Sequence, residues 1–438
     1  MTRATAQAFP NIVFALILLL LITSCATLTP ISSPTATATT TLTSAPSTTP
    51  SPNLLPIAIL ATPVLGPAIP HLAAGHAFDI TFIHMVNANQ GWGIGGLVQA
   101  ADHVFRTQNG GKTWRDVTPP QPAPTEGDTI AALGFFTDAS TGWVAYGGPL
   151  GSGSVPPYLL VWYTDDGGAS WTYGVINTTS VNRISFSPLY LDFVDSQHGW
   201  LLVFLGGGMM HAYVALYSTS DGGATWTDIL DPNTEIDIDI QSFAKTGMLF
   251  VDAQTGWLTR DAQGVDDIPD IFLTRDGGVV WSRIDLPAPS GTNGWFDNNS
   301  CGMYSPVAFS TQSVLFTMKC LDNATYKVEH DYLYSTSDSG QTWQSAPLPP
   351  DFKVSNPPSG GLYFTNAQTG LALGRVIYRT DNGGRSWSLA KLVNWDGQFT
   401  FLDLNTGWAV ASNAGQIALV QTVDGGRTWQ KVRPVVAP

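Results

Sequence analysis

Charge is scarce in this chain. Asp, Glu, Lys and Arg make up 12% of its 438 residues, about half the usual quarter. The 19 Lys and Arg face 33 Asp and Glu, for a net charge of −14. So few cations exclude a protein that neutralises a phosphate backbone, and no nucleic-acid partner is expected. Cysteine is nearly missing, with three in all: Cys25, Cys301 and Cys320. Two Cys without nearby paired His make half a zinc site at best, so no metal site is expected there. Glutamate is equally rare: Glu126, Glu235 and Glu329. No run has the periodicity of a long amphipathic helix. Ile12 to Ile22 is an unbroken apolar run, too short to span a bilayer as a stable helix. What the chain has in quantity is 44 Gly and 15 Trp, the composition of aromatic strands broken by tight turns.

The first residues read as an export signal. Arg3 supplies a positive start and Ile12 to Ile22 the apolar stretch. Ile22-Thr23-Ser24-Cys25 resembles a bacterial lipobox, and the resemblance implies cleavage after residue 24 and a lipid on Cys25. An ordinary cleaved signal or an uncleaved anchor are the alternatives. All three place the rest of the chain outside the cytoplasm, and the lipid would make the membrane its first partner. From Ala26 to Pro52, 20 of 27 residues are Thr, Ser or Pro. That composition cannot bury enough apolar surface to offset chain entropy, so residues 25–56 are expected to be a tether. Residues 57–75 connect it to a domain spanning 76–438. In an oxidising compartment the remaining pair, Cys301 and Cys320, is expected to form a disulfide.

One eight-residue motif recurs seven times. It runs from Thr107 to Trp114, and again from Thr164, Thr219, Thr274, Thr336, Thr380 and Thr422. Its third position is Asn109, Asp166, Asp221, Asp276, Asp338, Asn382 or Asp424. An oxygen there can accept from turn N–H groups. The glycines that follow suit a hairpin with positive φ, and the closing Trp is an apolar plug between sheets. Val280 replaces the usual Thr or Ser in the fourth copy. A second motif alternates with it: Gly91-Trp92, Gly142-Trp143, Gly199-Trp200, Gly256-Trp257 and Gly407-Trp408, with Gly370-Leu371 as a degenerate copy. Ser313 to Phe316 takes its place before the fifth box. Two hairpins per repeat, seven times over, predict an all-β, seven-bladed propeller of four-stranded antiparallel blades.

The eight-residue motif resembles the Asp-box, or bacterial neuraminidase repeat, from about residue 76 to the end. Its pairing with a Gly-Trp turn resembles the photosystem II stability and assembly factor family. That resemblance implies a non-catalytic propeller outside the cytoplasm that binds a membrane-protein partner. The family's Arg-rich patch is not matched by this acidic chain, so a general envelope-protein scaffold is the closer expectation. Sialidases also carry Asp-boxes, and a sialidase-like glycoside hydrolase is the enzyme alternative. It would need three arginines for a substrate carboxylate, for which Arg183, Arg260 and Arg375 are the candidates, and a Tyr paired with a Glu. The sialidase Arg-Ile-Pro signature is absent. Xyloglucanase-type enzymes need two propellers, and the chain has room for one.

The order A, turn, B, loop, C, box, D puts the A–B turns and boxes on one face. The B–C and D–A loops fall on the other. Loop length varies on the second face, so binding residues are expected there. Asp231, Glu235, Asp237 and Asp239 neighbour Asp266, Asp267 and Asp270 around blade four. They could form a solvated acidic rim, attract a basic partner, or hold Ca²⁺, the one cofactor worth testing. Trp295 and Trp395 are off the repeat positions, in D–A loops on this face. Exposed, they would stack on a sugar or peptide, which motivates a lectin-like alternative; tucked in, they would only cap blades. The partner is expected to be an envelope protein or a glycan, and the protein a monomer.

Overall fold

In the computed structural model the described residues are 65–437, without 125–127, 149–157, 179–184, 209–210, 233–239, 262–268, 326 and 353–360. Twenty-eight strands form seven four-stranded sheets, each antiparallel and each in simple sequence order. The blades span 79–116, 131–177, 187–230, 244–285, 299–347, 361–392 and 396–432. The protein is a seven-bladed all-β propeller, and its single described helix is one turn, Trp295–Asn298.

The Gly-Trp dipeptide has a packing cause. In blade two the last residue of strand A, Phe136, pairs with Gly142 at the start of strand B. A Cβ on Gly142 would lie 2.5 Å from the Phe136 ring, and one on Gly199 2.3 Å from Phe193. Glycine therefore makes room for the ring of its own blade. That ring is covered by the Trp of the preceding blade. Trp92 stacks on Phe136 at 4.7 Å, Trp143 on Phe193 at 3.8 Å and Trp200 on Phe250 at 3.7 Å. Each such pair is worth about 0.5–1.5 kcal/mol beyond its buried area. The indoles also donate across the seams. Trp143, Trp200 and Trp408 bond the carbonyls of Gly222, Gly277 and Gly110, the first glycine of the next box, at 2.7–3.1 Å.

Blade five obeys the same rule with the sizes exchanged. Ala308 ends strand A, and its partner is Val314 instead of glycine. A small residue on strand A permits a side chain opposite, which is why the dipeptide disappears there. Leu315 then stands where five of the other blades carry Trp and blade six carries Leu371. Cys301 and Cys320 face each other on strands A and B of this blade and are joined by a disulfide.

The ring closes by packing and by a clasp that the repeat does not encode. Strand A of blade one packs against blade seven, where Gln398 accepts from Ile83 N–H at 2.8 Å and donates to Ile83 C=O at 3.1 Å. After the last strand the chain runs on to blade one. Trp114 N–H donates to Val435 C=O (2.9 Å), and Ala437 N–H to Trp114 C=O (2.6 Å). On its other side Val436 exchanges bonds with Gly75 N–H and His76 C=O. Residues 67–72, from the connecting segment, lie along blade one: Leu72 N–H donates to Asp116 and Ile69 N–H to Gln121 C=O.

Candidate functional site

The box face is built to satisfy itself. In the box of blade two, Thr164 Oγ1 donates to Asp166 Oδ1 (2.9 Å) and accepts from Gly168 N–H (2.9 Å). Asp166 accepts from Ser170 through both N–H and hydroxyl (2.9 and 2.7 Å). Gly167 and Gly168 lie at φ 73° and 77°, which glycine adopts without cost. Side-chain donation from Ser170 and Thr342 pulls Asp166 and Asp338 down to about 2. The same pattern recurs at Asp221, Asp276, Asp338 and Asp424, with Val280 supplying only its N–H to Asp276. Asn109 and Asn382 instead donate through Nδ2 to Thr113 and Ser386. The residue after each Asp or Asn also donates its N–H to the A–B turn of its blade, seven times, from Gly110 to Asn89 C=O through Gly425 to Asn405 C=O. Both turns of every blade are thus stitched together, and the box carboxylates are occupied by their own turns.

The opposite face carries a buried cluster of charges. At the loop end of blade four, Asp270 is buried between two arginines. Arg260 Nε and Nη2 reach its two oxygens at 2.7 and 2.6 Å, and Arg283 Nε lies 2.7 Å from Oδ2. Asp270 is 1% exposed and Arg260 2%. The Arg260 guanidinium also lies over the Phe243 and Phe272 rings at 5.0 and 5.5 Å. Beside it Lys245, also buried, donates to the carbonyls of Ser242 and Phe243, both at 2.7 Å. Burial, with the adjacent Arg260, lowers the Lys245 amine to about 7. On the neighbouring strand Tyr304 pairs with Asp261, and burial together with that carboxylate raises its hydroxyl well above the ordinary tyrosine range.

These placements correct part of the sequence reading. Asp270 leaves the expected acidic patch, because two guanidiniums neutralise it in the interior. Asp231 is half-buried beside Asp228, which burial and then Asp231 raise to about 6. Glu235, Asp237, Asp239, Asp266 and Asp267 lie outside the described residues, as do Cys25, Glu126 and Arg183. Among the described residues no group of three His, Cys, Asp or Glu is arranged to hold a metal. Of the arginine candidates, Arg260 is spent on Asp270, and Arg375 binds Asp396 through two bonds of 2.8 and 2.6 Å. Trp295 is half-buried, opens the one-turn helix and meets Tyr332 edge-on at 5.5 Å. Trp395 is half-buried against Phe399 and Trp429. Both therefore act at least as caps on blade ends. Trp295 lies in the D–A loop before blade five, whose strand A starts at Asn299.

The sequence reading passed over two features of this face. Arg260 and Asp270 are ten residues apart, across a B–C loop, a spacing with no local signature. Leu97 and Val98, in the B–C loop of blade one, are 47% and 92% exposed, and Val98 is held at φ 53°. A β-branched residue rarely adopts that conformation. Gln99, next to it, donates to Gly415 C=O in the matching loop of blade seven at 2.6 Å.

No protein-family model and no curated protein matches the chain. Solved propellers do resemble it in structure. YCF48 from Cyanidioschyzon merolae is 14% identical, with TM-score 0.48, over 80% of this chain and 97% of that one. A PL25 ulvan lyase bound to a GlcA–Rha3S unit is 11% identical, with TM-score 0.45, over 84% and 97%. The GH74 enzyme of Niastella koreensis is 14% identical, with TM-score 0.33; the match takes in 81% of this chain and 62% of that enzyme. Likenesses this distant, to enzymes and to YCF48 alike, bear on the fold alone. Among the described residues no helix is long and apolar enough to cross a membrane.

Proposed function

We propose that this protein is a non-catalytic binding scaffold of the cell envelope, anchored by lipid on Cys25, that engages an envelope protein through its loop face. The observation that carries the reading is the state of the charged groups there. Arg260 and Arg375, the described candidates for a substrate-carboxylate clamp, are each held bidentately by a carboxylate of their own surroundings. The Tyr–acid pair at hand is Tyr304 with Asp261, and the Tyr304 hydroxyl is pushed away from ionisation by burial and that carboxylate, the opposite of what a nucleophile needs. Such groups hold a scaffold rigid and leave the variable loops to make contacts.

The test is hydrolysis of a fluorogenic glycoside panel, sialosides included, by the purified protein. No turnover is expected on any substrate. Turnover abolished by Arg375→Ala or Arg183→Ala would make this face an active site and defeat the proposal. The anchor is tested separately. Cys25→Ala is expected to abolish incorporation of a fatty-acid label, and a label retained by the variant would refute lipidation there.

A further inference from the structure

In blade one an arginine faces an arginine. Arg106 on strand C pairs directly with Arg115 on strand D. The other six blades put no two charges of one sign at that register; Leu273 meets Ser282 in blade four and Arg379 meets Ser388 in blade six. Like charges directly opposite destabilise a strand pair, and the chain has only 19 Lys and Arg to place. Among the described residues neither guanidinium has a hydrogen bond or an ion pair, and Arg106 Nε is buried without an acceptor. Arg106 lies over the Trp92 ring at 5.8 Å and against Gly167 of the next blade, where a Cβ would meet its Nη1 at 2.2 Å. Burial and Arg115 lower its pKa in spite of Asp138 and Asp166 across the seam, and both carboxylates already accept from their own turns.

A cleft of about 100 Å³ adjoins the pair, lined by Arg106, Gln108, Thr113, Arg115 and Ala437, with no carboxylate side chain among them. The box itself has given one up, since Asn109 stands where five boxes carry Asp. That exchange frees a donor. In blade two the Ser170 hydroxyl is spent on Asp166. Here Asn109 Nδ2 donates to Thr113 Oγ1 at 2.8 Å, which leaves the Thr113 proton for another acceptor.

We infer that this cleft binds a tetrahedral oxyanion, phosphate or sulfate, between the guanidiniums of Arg106 and Arg115, with the Thr113 hydroxyl as a third donor. Planar guanidinium donors suit such oxygens, and the bound charge removes the repulsion between the two arginines. The cleft is well below the roughly 300–1,000 Å³ of pockets for drug-sized ligands, so it holds one such group and leaves any molecule that carries it outside. The inference goes beyond the loop-face proposal, since it concerns the other face and a small anion.

Phosphate, sulfate and glycerol 1-phosphate are titrated into the full chain by calorimetry at constant ionic strength in chloride, with glycerol as the uncharged control. Saturable binding of the oxyanions and none of glycerol is expected. Tighter binding of glycerol 1-phosphate than of phosphate would assign the site to an ester, and the reverse to the free ion. Arg115→Gln, at an exposed position, is expected to weaken binding at least about tenfold while raising the unfolding midpoint in oxyanion-free buffer. Arg379→Gln, the matching position in blade six, is expected to leave binding unchanged. A Gly-Ser tail added after Pro438 moves the terminal carboxylate away, and unchanged affinity is expected. No saturable binding, equal weakening by both arginine variants, or binding that needs the tail would overturn the inference.

Discussion

Asp192 shows how one buried carboxylate sets a local pH dependence. It sits near the end of strand A in blade three and accepts from Phe250 N–H of blade four at 2.6 Å. Burial raises its carboxyl from the usual range to about 6. The folded protein therefore holds this proton more tightly than the unfolded chain does. The site is favourable below pH 4, loses stability as pH rises from about 4 to 6, and carries its full penalty above that. Asn keeps the acceptor and removes the charge. Asp192→Asn is expected to stabilise the protein at pH 7.5 by up to about 3 kcal/mol, with the gain vanishing near pH 4. Urea unfolding of both proteins across that range checks it. The box of blade four offers a second residue-scale test. Its Val280 is 61% exposed and has no hydroxyl for Asp276, whereas Thr225 donates to Asp221 Oδ2 at 2.6 Å. Val280→Thr is expected to gain about 0.5–1.5 kcal/mol and Thr225→Val to lose as much, both read from denaturant midpoints.

At the scale of the strand pair, glycine and aromatic are two halves of one choice. Gly199→Ala would push a methyl into the Phe193 ring that Trp143 covers, and is expected to cost about 1–3 kcal/mol. Blade five shows the alternative solution in Ala308 and Val314. Phe193→Ala with Gly199→Val, which copies it, is expected to be more stable than the two single losses sum to, by at least about 1 kcal/mol. A double-mutant cycle in denaturant decides this; strict additivity would show that the two positions do not share the space. The same element explains what was legible in the sequence. Gly-Trp dipeptides and boxes announce hairpins because each needs a particular residue at a particular place. In blade five the packing is kept with different residues, so the motif vanishes while the strand remains. The pairing of Arg260 with Asp270 escaped notice because a loop separates them, and a sequence reading of Asp270 among acidic neighbours sees the charge but not the two guanidiniums that enclose it.

For the molecule as a whole, the ends of the repeat region add a clasp to the contacts that Trp408 and Gln398 make across the closing seam. Val435 to Ala437 bond Trp114 on one side and the segment at Gly75 and His76 on the other. No repeat signal marks these residues, which is why closure was the least legible part of the fold. Removing residues 434–438 deletes four backbone hydrogen bonds and the buried Val436. About 2–6 kcal/mol is expected to be lost from the bonds alone, with hydrogen exchange rising first in blades one and seven. Unchanged exchange there would mean that the contacts of strand A of blade one with blade seven close the ring without the clasp. The division into two faces is also a property of the whole ring. Boxes and A–B turns consume each other's polar groups on one side, and the charged cluster, the strained Val98 and the variable loops gather on the other.

That division is tested most directly by site-specific photo-crosslinking in the native envelope. Probes placed at Leu97, Tyr213 and Leu392 are compared with probes at Lys112, Ala169 and Ala224 on the boxes of blades one to three. A discrete protein adduct from at least one loop-side probe, and none from the box probes of those blades, is the expected result. Adducts from those boxes, with none from the loop side, would contradict the assignment of binding to the loop face.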